Sequence, residues 1–199
     1  MKTIFTVLIS AVVFFTLQNI IPTEEEYEIY ESTVRLHVLA NSDSEGDQAL
    51  KLKVRDAILE TMQGWEPSSK EDALEKIEKN QASLCSIAET VIKNEGYDYE
   101  VEIKVGKELY PTRYYEDFAL PSGEYTSVRV VIGKGQGQNW WCVLYPPLCT
   151  NSAVKYDEDA CLEVGLTKNQ YDLITSNESG KYKVKFRLLE LASEVFGLN

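Results

Sequence analysis

"RLHVLANSDSEGDQALKLKVRD" runs from Arg35 to Asp56, and the change of rhythm inside it decides the fold class. Val34, Leu36 and Val38 alternate with Arg35 and His37, the period of a strand with one buried face. Asn41, Ser42 and Asp43 then break the pattern as turn formers. Ser44 stands where a helix needs a cap, with Asp47 placed to reach back to it. Beyond the turn, Leu50, Val54, Ala57, Ile58 and Met62 recur at spacings that line one helix face, and Gly64 closes it. Strand, turn and helix in immediate succession predict a domain that mixes both element types.

The same reading extends downstream. Ser68 and Glu71 are spaced as a capping box, and Leu74, Ile77, Gln81, Leu84, Ala88 and Val91 repeat as a second helix face ended by Gly96. Cys85 lies beside Leu84 on the buried flank, an inert core thiol. From Tyr97 the period becomes two: Tyr99, Val101, Ile103 and Val105 alternate with Glu100, Glu102 and Lys104. "YPTRYYEDFALPSGEY" from Tyr110 places two prolines and a glycine around a short strand and a turn. Val128, Val130 and Ile132 mark a further strand, which "GKGQGQN" from Gly133 is expected to reverse so that Trp140 to Tyr145 pairs back on it. Asp157 to Val164 and Thr167 to Ser176 read as short helices, Thr167 heading the second with Gln170. Lys181 to Leu188 alternates as a strand would, yet Val184, Leu188, Leu191 and Val195 fit a closing helix. The expectation is one α+β domain over 34–199: an antiparallel sheet of about four or five strands packed against helices.

Residues 1–21 stand apart as a signal peptide or membrane anchor helix. Met1 and Lys2 give a positive start, and Ile4 to Leu17 is apolar except for Thr6, Ser10 and Thr16. A bilayer span takes about 20 apolar residues, and no small-x-small cleavage pattern lies between Leu17 and Pro22. Residues 22–33, containing "TEEEYE", read as an acidic linker or exposed helical lead-in. A net charge of -12 repels nucleic-acid phosphates and anionic headgroups. Nucleic acid is therefore not an expected partner, and contact with membrane is expected only through the N-terminal segment.

Catalytic chemistry finds little support. A structural zinc site takes close cysteine pairs or paired histidines, whereas Cys142 and Cys149 are far apart for that purpose and His37 is the one histidine. There is no C-x-x-C pair. A nucleophilic Cys142 needs a base, and His37, between Leu36 and Val38, reads as a surface or hydrogen-bonded structural residue. "GKGQGQN" lacks the Lys-Ser/Thr ending and following helix of a phosphate loop, and Ser42, Ser44 and Ser122 lack a nucleophile elbow. No catalytic residue, metal or cofactor is expected. Export makes a disulfide available, and the candidate pair is Cys142 with Cys149, brought together by a turn that Pro146 and Pro147 stiffen. Trp140 and Trp141 are consecutive on a strand and point to opposite faces. One can fill the core while the other anchors a protein partner.

Three stretches resemble stage II sporulation protein R: "RLHVLANSDSEGDQALKLKVRD" at Arg35 to Asp56, "YPTRYY" at Tyr110 to Tyr115, and "SGEYTSVRVVIGKGQGQNWWCVLYPPLC" at Ser122 to Cys149. The resemblance implies a signalling protein rather than an enzyme. On this resemblance the protein is expected to be made in the forespore and exported across the forespore membrane into the space between forespore and mother cell. There it is expected to trigger the membrane-embedded aspartic protease that processes the pro-sigma-E precursor. On that reading the partner-binding surface is expected around Trp140, Trp141, Pro146 and Pro147, with Asn41 and Asp43 of the turn and Arg113. An extracytoplasmic cysteine-dependent hydrolase and a passive envelope binding module are the alternatives.

Overall fold

In the computed structural model, the residues described are 6, 10, 23–115, 118–148, 158–163 and 166–175. The expected signal segment, apart from Thr6 and Ser10, and the expected closing element after Lys181 lie outside them. So does Cys149.

The chain order is α1 (Glu24–Ser32), β1 (Val34–Leu39), α2 (Glu45–Met62), α3 (Lys70–Asn94), β2 (Val101–Tyr110), β3 (Arg113–Tyr114), β4 (Ala119–Leu120), β5 (Gly123–Ile132), β6 (Asn139–Tyr145), α4 (Glu158–Glu163) and α5 (Lys168–Thr175). The α+β class is as read. α2 starts at Ser44, whose hydroxyl accepts from the Asp47 backbone N–H at 3.2 Å. α3 is capped one residue later than the spacing suggests: Ser69 takes the Asp72 N–H at 3.1 Å, and Ser68 instead bonds to the Asp72 carboxylate. Gly64 and Gly96, at φ +81° and +84°, follow the helices in the left-handed region that glycine adopts without strain. α5 carries the expected box, Thr167 N–H to Gln170 Oε1 at 2.8 Å and Gln170 N–H to Thr167 Oγ1 at 3.3 Å.

The sheet corrects one expectation. Among the described residues it has four strands in the order β2-β5-β1-β6, and it is mixed rather than antiparallel. β1 pairs parallel with β5, Val34 opposite Thr126 through Leu39 opposite Val131. Its other edge pairs antiparallel with β6. The expected β5–β6 hairpin is therefore absent, because β1 lies between those strands. The reason lies at the end of β1. Residues 133–138 span two strand spacings, roughly 9.5 Å, a distance that six residues cover easily. They cross the C-terminal end of β1 and are held there by Gly137 N–H to Ala40 O at 2.9 Å and Gln136 N–H to Asn41 O at 3.3 Å. A short glycine-rich link is compatible with either topology, so its length did not specify strand neighbours.

Val34, Leu36 and Val38 of β1, Val128, Val130 and Ile132 of β5, Ile103 of β2, and Cys142 and Leu144 of β6 form the buried cluster with Leu50, Val54 and Ile58 of α2 and Ile77, Leu84, Ala88 and Ile92 of α3. One sheet face thus packs on the two long helices whose apolar faces were readable in the sequence.

The residues cluster in two compact units, the sheet and long helices forming one of them (Glu31–Glu108 and Glu124–Leu166). The described residues of the other are 6, 10, 23–30, 109–115, 118–123 and 167–175. In it, α1 buries Glu26, Ile29 and Tyr30. The Tyr30 hydroxyl donates to Ser122 O at 2.9 Å, and its ring lies where any side chain at Gly123 would sit. β3 and β4 form a two-stranded ladder, Arg113 opposite Leu120.

Candidate functional site

Three groups of residues gather around β6. The first is a knot of turn residues beneath the crossing link. Asp47, 4 % exposed, accepts from Ser42 Oγ at 2.5 Å and Asn41 Nδ2 at 2.9 Å, and from the Tyr99 hydroxyl. Burial alone would raise its carboxyl, but these bonds together outweigh burial and hold it below the ordinary aspartate value. Asn41 Oδ1 accepts from Lys134 N–H at 3.0 Å, and Asp43 Oδ1 accepts from Gln138 N–H at 2.7 Å. Buried Lys51 donates to Gln138 O at 2.8 Å and Gln48 Oε1 at 2.6 Å. Asn41 and Asp43 thus fix the link that delivers β6. Asp43 remains exposed and Asn41 half-buried.

The second group is the tryptophan pair, which faces opposite sides as read. Trp140 packs against the helix-side core, and the Arg55 guanidinium of α2 lies 4.7 Å from its ring centroid. Trp141 sits opposite His37 across the β1–β6 ladder, on the reverse face, with ring centroids 5.4 Å apart at 32°. Both are half-buried.

The third group, missed in the sequence, is a polar network on that reverse face. His37, 5 % exposed, sets Nδ1 2.8 Å from Glu108 Oε1 of β2 and Nε2 2.8 Å from Asn139 Oδ1 of β6. Ser127 of β5, itself buried, donates to Glu108 Oε2 at 2.8 Å. Glu108 feels burial, which would push it up. The bonds from His37 and Ser127 and the charges of His37 and Arg129 prevail and hold it below the ordinary glutamate value. Toward the start of β1, Arg35 is fully buried with its guanidinium 4.9 Å from the Tyr125 ring centroid. His37 was identifiable as hydrogen-bonded, but its partners come from two other strands, β2 and β6, and Ser127 of β5 completes the network. Only the strand order brings them together.

The remaining predicted residues fall as follows. Pro146 is buried and Pro147 half-buried directly after β6. Cys142 is 1 % exposed and points into the helix-side core, opposite Leu36. Cys85 and Cys161 form no disulfide, and burial raises the Cys85 thiol. Arg113 belongs to the other compact unit and is half-buried there. The Cys142 and His37 side chains lie on opposite sheet faces, so they cannot act as nucleophile and base. Among the described residues, no cluster of His, Cys, Asp and Glu could hold a metal ion.

The family model of stage II sporulation protein R matches residues 30–155, which take in the four-stranded sheet and both long helices. The chain belongs to the stage II sporulation protein R family. It is 33 % identical over 186 residues to stage II sporulation protein R of Bacillus subtilis (strain 168), covering 84 % of this chain and 83 % of that protein. No solved structure matches. Membership gives the chain a role in sporulation. The matched region of the family contains the turn knot, the tryptophan pair and the His37 network, and it excludes α5.

Proposed function

We propose that this protein is the exported signal that activates a membrane-embedded aspartic protease, which then processes the pro-sigma-E precursor in the mother cell. The observation that carries the reading is the family match, which spans the whole four-stranded sheet and both long helices. The geometry supports a binder over an enzyme: the cysteine nearest the signature aromatic pair is a core side chain, and the histidine faces away from it. A ligand activates a protease only by binding its active form more tightly than its inactive form. The surface offered for that contact centres on Trp141, with Asn139 and Arg129 exposed on the same sheet face. Tryptophan and arginine are the residue types that most often dominate such contacts. The N-terminal segment exports the domain, and a Cys142–Cys149 disulfide closes the loop after β6.

The test is co-expression of the protease, the precursor and this protein in a non-sporulating host, with precursor shortening read on a gel. Shortening that requires this protein supports the signal. An intact precursor with all three proteins folded and present refutes it.

A further inference from the structure

His37 has an arrangement that packing alone does not demand. Its two ring nitrogens both face oxygen acceptors, Glu108 Oε1 and Asn139 Oδ1, each at 2.8 Å. Each ring nitrogen thus has a polar partner, one from β2 and one from β6, and the ring is fixed from both ends. The charged groups around it are Glu108 from β2, Arg129 directly across from β5 and Arg35 from its own strand, while β6 contributes the uncharged Asn139 and Trp141. Glu108 is in turn steadied by Ser127. The ring is therefore clamped along the axis joining β2 to β6, and the indole of Trp141 leans against its face.

Two of its contacts, the exposed Asn139 and the half-buried Trp141, carry the network toward the surface on the β6 side. His37 itself is almost wholly covered. We infer that His37 is a positioning residue for signalling: clamped by Glu108 and Asn139, it fixes the orientation of Trp141 and so presets the surface that the partner reads. This rests on the proposed signalling function and names how its contact surface is organised. Preorganisation of an aromatic anchor raises affinity by removing the ordering cost from the binding step.

The experiment uses the full chain in the co-expression assay, with His37→Phe, Trp141→Ala and the double variant. Folding of each is checked by circular dichroism and melting. His37→Phe keeps a ring against Trp141 and removes both bonds. The expected result is a folded protein whose processing rate falls about tenfold, the scale of one good interface contact. In the Trp141→Ala background, His37→Phe then lowers processing no further, because the residue acts through that indole. A purely structural role would make the losses multiply. The chain contains one histidine, so ring-labelled ¹⁵N-histidine gives a single pair of signals. That pair is expected to shift in Trp141→Ala, and the Trp141 indole resonance is expected to shift in His37→Phe. If His37→Phe does not fold, Glu108→Gln takes its place, with the same expected loss and the same test of coupling.

Wild-type processing by a folded His37→Phe, or by Glu108→Gln in its stead, overturns the inference while leaving the signalling function intact. Losses that multiply with Trp141→Ala also overturn it. A wild-type chain that triggers no processing overturns both.

Discussion

Removing the Asp47 carboxylate should loosen the crossing link and weaken the whole sheet-bearing unit. In Asp47→Ala, Ser42, Asn41 and Tyr99 lose an ionised acceptor at the same time. Each bond to a charged group is worth roughly 1.5–3 kcal/mol. Ser42, Asn41 and Tyr99 are half-exposed, so water recovers part of each bond, and burial of the carboxylate is itself a cost that the variant escapes. The net loss is set at about 3 kcal/mol. All three tryptophans, Trp65, Trp140 and Trp141, belong to the unit that contains the knot. Urea unfolding followed by tryptophan fluorescence therefore reports on it alone. With a slope of about 1.5–2 kcal/mol per M, the midpoint should drop by about 1.5–2 M.

The pH dependence gives the same prediction a second arm. The Asp47 carboxyl titrates lower in the folded chain than in the unfolded one. Its stabilisation is thus present above the unfolded aspartate value, about 3.9, and is lost as pH falls through the lower folded value. The gap between wild type and Asp47→Ala should accordingly be constant near neutrality and narrow in acid. A midpoint within 0.3 M of wild type at neutral pH, or a gap that widens in acid, refutes the account of the knot (the threshold corresponds to roughly 0.5 kcal/mol).

Gly137→Ala puts a methyl group into the Ser42 carbonyl, with Ala40 Cβ at 2.9 Å, and should cost about 1–3 kcal/mol in the same urea assay. Trp140→Ala should lower stability by about 3 kcal/mol through lost packing and the lost Arg55 contact. Trp141→Ala should act mainly on precursor processing, and the split between the two is read by measuring melting and processing for both. Thiol titration of the unfolded, unreduced protein should find Cys85 and Cys161, with Cys142 and Cys149 appearing only after reduction. Reduction should then destabilise the chain by about 2–3 kcal/mol.

The elements were readable where a single period ran long enough. Leu50, Val54 and Ile58 in α2, and Ile77, Leu84 and Ala88 in α3, mark their buried faces without any knowledge of what covers them. The opposed tryptophans followed from strand geometry alone. Strand neighbours did not. The apolar alternation of Val34, Leu36 and Val38 specifies a face to bury, and it is silent on whether β5 and β6 pair with each other or with β1. The information sat instead in polar residues that looked like ordinary turn formers. Asn41 and Asp43 each bond to the backbone of the link, at Lys134 and Gln138, across a long sequence separation. Glu108 was hidden for a related reason. At the outer position of an alternating strand it resembles Glu100 and Glu102, and only the register of four strands reveals that it meets His37.

The two faces of the sheet therefore divide the work. The helix-side face is apolar and carries the stability that two amphipathic helices provide. The reverse face buries His37, Ser127 and Arg35, groups whose desolvation is costly unless partnered. Leucine or valine at those positions would satisfy the strand pattern more cheaply. What the polar set adds is directional: His37, Glu108 and Asn139 form a chain of bonds running across the sheet from β2 to β6, tying an outer strand that carries Trp141 to the opposite edge. The knot at Asp47 fixes the same strand from its N-terminal end, through Asn41, Asp43 and Lys51. β6 is consequently held at its start by the link and along its length by the ladder to β1 and the His37 chain. A strand held in this way presents its indole with little freedom left to lose, and under the proposed signalling role that rigidity would help it to favour one form of the partner over the other.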